Sequence, residues 1–394
     1  MRKILLAFFI CFVTCVHAQT PSFTCGVDIS WCTEMEADGR TFRNSTGTET
    51  DIFALMKELG MNAVRLRVWV NPTRYGYGAW CDKADVLQKA RRAHAQGLDL
   101  MIDFHYSDFF ADPGRQTKPL DWEDYSTAQI KTAITQHTVD VLQALKDEGI
   151  IPRWVQVGNE TNSGMIWEDG RIDWNKTGTA RFTDYVALSN AGYEAVKSVL
   201  PDALVIVHLG GAESAQCFFG DFQAAGGKVD MIGLSHYPTA DEWNSVAQSA
   251  THSNINAAQW VAQAAQSFGV PVMICETGFD VSNPDLANSV MTDLFNRMTA
   301  IPQCAGIFYW EPETDGVWRP ACYAQFGWEA YRMGAFTTNG QPTAALDAFA
   351  DFPTETTTIS SELPTGTKVF HAGQLFVIRN NKIYTILGQP TDKF

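Results

Sequence analysis

The chain has 394 residues, 45% of them hydrophobic and 12% aromatic, which is enough to bury the core of one large α/β domain. Its net charge of −15 argues against nucleic acid or an anionic membrane surface as a partner, because both attract positive protein. Twelve Trp and 11 Tyr supply many flat apolar faces, which suit stacking on a neutral sugar as well as packing a core.

The N-terminus begins with Arg2 and Lys3, continues through an apolar stretch and ends in the small-x-small run Val16-His17-Ala18. Residues 1–18 therefore read as a secretory signal peptide, and the mature protein is expected outside the cytoplasm: periplasmic, cell-surface or extracellular. Cleavage after Ala18 removes Cys11 and Cys15 from the nine cysteines and leaves seven. Export permits disulfides. Cys32 with Cys81, and Cys25 with Cys304, are the expected pairs. Cys275 is the expected free thiol, placed by strand alternation in the helix layer and away from Glu276. No CxxC or HExxH occurs, so a zinc site is not supported, and no cofactor is expected.

From residue 19 to 352, eight strand-like runs alternate with helical stretches. The runs are 26–30, 63–68, 99–105, 154–159, 204–209, 231–237, 270–276 and 306–311. The helical stretches are 50–59, 84–96, 127–148, 182–199, 255–268 and 286–299. Several of these close on a glycine stop (ELG, AQG, DEG, SFG). Eight β/α alternations at this length predict a (β/α)8 barrel. An open doubly wound sheet is the second architecture, but neither GxGxxG nor a P-loop is present. Residues 353–366 (PTETTTISSELPTG) read as a linker, and residues 367–394 as a β-hairpin tail turning at Asn380-Asn381.

In such a barrel the active site lies at the C-terminal ends of the strands. Asp28, Arg65, Arg67, Asp103, His105, Asn159, Glu160, His208, His236, Tyr237, Glu276, Trp310 and Glu311 gather there. Two of these carry the chemistry. The runs WVQVGNE and PVMICE each end in a glutamate, at Glu160 and Glu276. An apolar strand has little reason to end in a carboxylate unless that carboxylate faces a cavity. Two carboxylates flanking one sugar can cleave a glycosidic bond, one as acid and one as nucleophile. Arg67, nearer the barrel mouth than Arg65, is expected to hold Glu276 ionised. Asn159 can donate to a sugar hydroxyl, Tyr237 can donate to the nucleophile, and Trp310 offers a floor for the ring.

The segments GVDISW (26–31), MNAVRLRVWVNP (61–72), LMIDFHYSDFFADPGRQTKP (100–119), VQVGNETNSGMIW (155–167), IGLSHYP (232–238), VMICETGF (272–279) and GIFYWEP (306–312) resemble glycoside hydrolase family 53, the endo-β-1,4-galactanases. The resemblance implies a retaining enzyme acting on β-1,4-galactan, the side chains of pectin, with Glu160 as acid/base and Glu276 as nucleophile. It implies a cleft lined by Asp28, Arg67, His105, Asp108, Asn159, His236, Tyr237 and Trp310, and a monomer whose partner is the polysaccharide. The chain departs from the family at Phe109-Phe110, where many members carry Thr-Trp, and at His236, often Tyr. It also lacks the Asp-rich calcium loop of some bacterial members; Asp280 and Asp285 are too few for Ca²⁺. A related enzyme on mannan or xylan would use the same two glutamates, as would a transglycosylase. A non-catalytic glycan-binding barrel would need neither.

Overall fold

The computed structural model describes residues 23–239 and 246–350, and the strand residues 367–371, 374–379 and 382–385. The predicted signal peptide and linker lie outside the described residues. The chain divides into two units, Met1–Thr354 and Glu355–Phe394.

The first unit is a closed barrel of eight parallel strands: β1 (Thr24–Asp28), β2 (Ala63–Val68), β3 (Asp99–Phe104), β4 (Trp154–Val157), β5 (Leu204–Gly210), β6 (Met231–Ser235), β7 (Val272–Thr277) and β8 (Cys304–Trp310). β8 pairs with β1 and closes the ring. Around it run α1 (Cys32–Ala37), α2 (Ile52–Glu58), α3 (Lys83–Ala95), α4 (Thr127–Asp147), α5 (Thr183–Val199), α6 (Ala215–Ala224), α7 (Val246–Phe268) and α8 (Pro284–Thr299). The predicted (β/α)8 architecture is thus observed. The chain turns out of α2, α3, α4 and α7 at Gly60, Gly97, Gly149 and Gly269, all at positive φ, as the glycine stops predicted. α1 and α6 had no counterpart among the predicted helices. α6 (AQCFFGDFQA) carries a central glycine and three phenylalanines, so its short apolar pattern does not separate helix from strand. No helix among the described residues is long and apolar enough to cross a membrane.

The barrel is filled at its lower end by Met101, Trp154, Ile206, Met231, Met273, Cys275 and Phe308, a dry plug beneath the polar mouth. Cys275 in this plug corrects the expectation that it faces the helices. β7 carries register shifts: Leu234 pairs with Ile274 but Ser235 with Glu276, and Ile307 with Ile274 but Tyr309 with Thr277. An extra residue in a strand breaks its alternation, so Cys275 and Glu276 both serve the interior, one in the plug and one at the mouth.

The expected disulfides are absent: all seven described cysteines are free thiols. Cys25 lies opposite Ile307, three residues past Cys304. That offset is about 10 Å along the strand, more than the ~7 Å a disulfide can bridge. Cys81 instead donates to the Ser30 carbonyl at 3.7 Å and lies 3.8 Å from the Lys89 ammonium, which also holds Asp85. Burial pushes the Cys81 thiol up to about 11 and raises the Cys32 thiol well above its usual value.

The second unit is a three-stranded antiparallel sheet of β9 (Thr367–His371), β10 (Gln374–Arg379) and β11 (Lys382–Thr385). Arg379 pairs with Lys382 across Asn380 and Asn381, as the hairpin reading requires. The sequence reading covered one hairpin; a further strand, β9, pairs with β10.

Candidate active site

The mouth of the barrel is organised around Arg65. This side chain rises from the middle of β2 and is 1% exposed. Its guanidinium hydrogen-bonds Asp28 Oδ2 (2.7 Å), Asp103 Oδ2 (2.8 Å), Asn159 Oδ1 (2.8 Å) and Gln156 Oε1 (3.2 Å). It also forms an ion pair with Glu276 Oε1 at 3.0 Å. Arg67 was the sequence-based choice for that role, and the structure corrects it. Arg67 pairs with Glu311 and lies 4.7–5.4 Å from the rings of Phe110, Trp31 and Trp69. Alternation puts both arginines on the inner face, but the long guanidinium arm reaches upward, so the lower residue is the one that meets β7.

Glu276 is gripped from two sides, since the Tyr237 hydroxyl donates to its second oxygen, Oε2, at 3.0 Å. Burial raises its pKa, while Arg65 and then Tyr237 oppose the rise. One guanidinium serves three carboxylates here (Asp28, Asp103 and Glu276), so the cluster keeps a negative surplus.

Glu160 adopts φ +46°, a left-handed conformation that costs energy for a non-glycine residue. In this conformation its Oε1 meets the Ser235 hydroxyl at 2.6 Å. Ser235 itself is the register partner of Glu276 in the β6–β7 pair. Burial first, and the Glu276 charge second, push Glu160 up to about 8. His208 backs this serine. Burial holds it neutral. Its Nδ1 lies 3.0 Å from Gln156 Nε2 and 2.9 Å from Asn159 Oδ1, and its Nε2 lies 3.0 Å from Ser235 Oγ, whose hydroxyl donates to Glu160. The result is a buried pair in which one carboxylate is held by a cation and the other, among the described residues, by a hydroxyl.

Gly210, at the end of β5, gives Glu160 its space. A Cβ there would lie 2.9 Å from Glu160 Oε1 and 2.7 Å from Pro113 Cγ. Gly210→Ala should fold normally but lower kcat by on the order of 10²-fold, the cost of an ångström-scale misplacement. Steady-state kinetics beside a thermal melt will check this; an unchanged kcat would refute the spacing role. Arg65→Met leaves three buried carboxylates without their cation and should cost about 3–5 kcal/mol of stability. Urea denaturation will measure it, and a loss under ~1 kcal/mol would show that the carboxylates simply take up protons.

The family model for glycosyl hydrolase family 53 matches residues 24–349. The chain belongs to this family. The endo-beta-1,4-galactanase of Bacillus subtilis (strain 168) is 31% identical over 331 residues, 76% of this chain and 72% of that protein. The arabinogalactan endo-beta-1,4-galactanase of Cellvibrio japonicus (strain Ueda107) is 30% identical over 331 residues, 76% of this chain and 82% of that one. Among solved structures, the GH53 catalytic domain of Ignisphaera aggregans aligns with a TM-score of 0.70 and 26% identity, covering 85% of this chain and 97% of that domain. The chain is accordingly a glycoside hydrolase.

The other family-53 positions divide into two kinds. Tyr237 sits against Glu276, and Trp310 lies beside Asp28 in the β8–β1 register, packed edge-on to Tyr331 at 4.7 Å. Asn159 gives one amide hydrogen to the Ala111 carbonyl. By contrast, Asp28, His105 and Asp108 spend their polar atoms on the protein itself. Asp28 accepts from Ser30 and Arg65. His105 accepts from the Ala111 N–H at Nδ1 and meets Asp103 at Nε2. Asp108 accepts the backbone N–H groups of Asn71 and Leu120, tying two loops together. His236 Nε2 meets Asn254 Oδ1 at 2.9 Å. Phe109 and Phe110 are buried, and Phe326 stacks over Phe109 at 4.7 Å. Sequence reading missed Ser235 and Gln156 as site residues. Gln156 had a signal, since it is a polar residue on the inward parity of β4; Ser235 had none, because its role depends on where Glu160 folds over. Among the described residues no cluster of three or more His, Cys, Asp or Glu side chains could hold a metal.

Proposed function

We propose that this chain is a secreted, retaining arabinogalactan endo-β-1,4-galactanase, with Glu160 as acid/base and Glu276 as nucleophile. The observation that carries the reading is the asymmetry of the carboxylate pair. Glu276 has Arg65 at 3.0 Å and the Tyr237 hydroxyl on its other oxygen, whereas Glu160 has no direct ion pair among the described residues and is pushed up to about 8. That division gives one ionised and one protonated carboxyl near neutral pH, which retention requires. The galactanases of Bacillus subtilis and Cellvibrio japonicus support the substrate class.

In the first step Glu276 attacks the anomeric carbon as the bond to the leaving oxygen breaks, and Glu160 gives its proton to that oxygen. Glu160, now a carboxylate, takes a proton from water. The water oxygen attacks the same carbon, and Glu276 departs with its original charge. Two inversions give net retention. Asn159 retains one amide hydrogen for the hydroxyl beside the reacting carbon, and Trp310 presents an apolar face to the ring. The N-terminal leader pattern supports export.

Product analysis over time on linear β-1,4-galactan, run beside mannan, xylan and cellulose, tests this reading. Short galacto-oligosaccharides should appear from galactan alone. Products from another glycan instead would keep the mechanism and overturn the substrate.

A further inference from the structure

The loop after β3 carries the run Ala111-Asp112-Pro113-Gly114-Arg115-Gln116, and this run meets the end of β4 at three points. The Asn159 amide donates to the Ala111 carbonyl at 2.8 Å. Pro113 and the Glu160 carboxyl flank the same bare Cα, that of Gly210. The Gln116 side chain donates from Nε2 to the Asn159 carbonyl at 2.8 Å and to the Glu160 carbonyl at 3.3 Å. Among the described residues those two carbonyls accept no other hydrogen bond.

Gln116 is 2% exposed, and its amide is used at one end only. Nε2 also donates to the Asp112 carbonyl at 3.0 Å, while Oε1 is buried with no hydrogen-bond partner. A buried amide oxygen without a donor is unfavourable, and an apolar side chain of the same length would avoid it. The donor end therefore accounts for the amide. What that end holds is a strained backbone. Glu160 sits at φ +46°, two residues after Gly158 at φ +83°. A non-glycine residue keeps such a conformation only where its surroundings over-determine it. The Asn159 carbonyl belongs to the peptide plane before Glu160 and the Glu160 carbonyl to the plane after it. Holding both planes fixes both backbone angles of Glu160, and with them the direction of its side chain. Gln116 is itself anchored, because its own carbonyl accepts the Trp167 N–H at 2.6 Å.

We propose that Gln116 is the positioning residue of the acid/base: it locks the left-handed backbone of Glu160 and so keeps the carboxyl against Ser235 and aimed at the leaving oxygen. The inference rests on the reading of Glu160 as the acid. Gln116 acts only through Glu160. Glu276 is gripped independently, by Arg65 and Tyr237, so loss of Gln116 weakens proton transfer and spares nucleophilic attack.

Two aryl β-galactobiosides separate these steps. A phenol leaving group needs the acid, and a dinitrophenol leaving group does not. In Gln116→Met, kcat/KM on the phenyl substrate should fall by on the order of 10²-fold, the scale of an ångström-sized misplacement. On the dinitrophenyl substrate it should change by no more than a few-fold. Both substrates are read on one preparation, so a partly unfolded variant lowers both alike and leaves their ratio unchanged. Gln116→Glu keeps the shape but puts an oxygen in place of the NH₂ group, and it should show the same bias. Glu160→Ala serves as the reference, and its bias sets the ceiling. Equal losses on both substrates, no loss in either variant, or two variants that do not fold would make Gln116 a structural residue only and overturn the role, while Glu160→Ala keeps its bias. If Glu160→Ala itself shows no bias, the acid assignment fails, and the role of Gln116 falls with it.

Discussion

Glu276→Ala is expected to lower galactan turnover by on the order of 10⁴-fold or more, the scale of losing a covalent nucleophile. The barrel should remain folded, since removing this carboxylate relieves rather than creates charge imbalance: Arg65 keeps Asp28 and Asp103. The stereochemistry of rescue is the sharper measurement. Azide can enter the space left by the missing carboxylate and attack the anomeric carbon directly, in one displacement. With an activated aryl β-galactoside, Glu276→Ala should therefore give the α-galactosyl azide. A β-galactosyl azide from this variant would mean that a covalent nucleophile survives and lies elsewhere. Glu311 is the nearest structural rival, being a buried carboxylate past the end of the neighbouring strand, but it is engaged by Arg67 and the Trp31 N–H.

Glu160→Ala should separate two substrates. On galactan the leaving alkoxide needs a proton, and the loss should reach about 10²–10⁴-fold. On an aryl glycoside with a good leaving group the first step needs no acid, and the loss should be smaller, with the covalent intermediate accumulating. The pH profile follows from the same residue. Wild-type kcat/KM on galactan should fall as pH rises through about 8, because Glu160 then gives up the proton that the reaction uses. At low pH it should fall as Glu276 takes up a proton, and that limb lies above the ordinary carboxylate range because burial raises Glu276 as well. In Glu160→Ala the alkaline limb should disappear from the aryl-glycoside profile. An alkaline limb that persists unchanged would assign the acid to another group. The two groups titrate as an interacting pair, so the limbs belong to the pair jointly.

Much of the architecture was legible because it depends on local signals. Glycine stops, apolar runs and their spacing mark eight strands and most helices without reference to the rest of the chain. α7 shows the limit: its C-terminal part was visible in the apolar pattern from 255, while its first turns from 246 carry Ala, Ser and Thr with little periodicity. The Glu160 and Glu276 positions were legible for a related reason, since a carboxylate ending a β-branched run conflicts with its surroundings unless it faces a cavity. Tyr237 is placed beside Glu276 by its chemistry in the sequence, and its hydroxyl is found there. Arg67 was assigned the same way and is found elsewhere, because two arginines on one face of a strand look identical until the barrel closes and their reach can be compared.

The sequence by itself therefore determined the barrel, its polar end and the two glutamates that close strands four and seven. These follow from periodicity and from polar residues placed where an apolar pattern stops. Only the tertiary structure decided which arginine holds Glu276, that Ser235 meets Glu160, that Cys275 joins the interior plug and that the cysteines stay apart. Each of those depends on strand register around a closed ring. One shifted residue in β7 turns a side chain from one face to the other, and a three-residue offset between β1 and β8 separates two cysteines beyond bonding distance. Register is a property of pairs of strands far apart in the chain, and no single segment contains it.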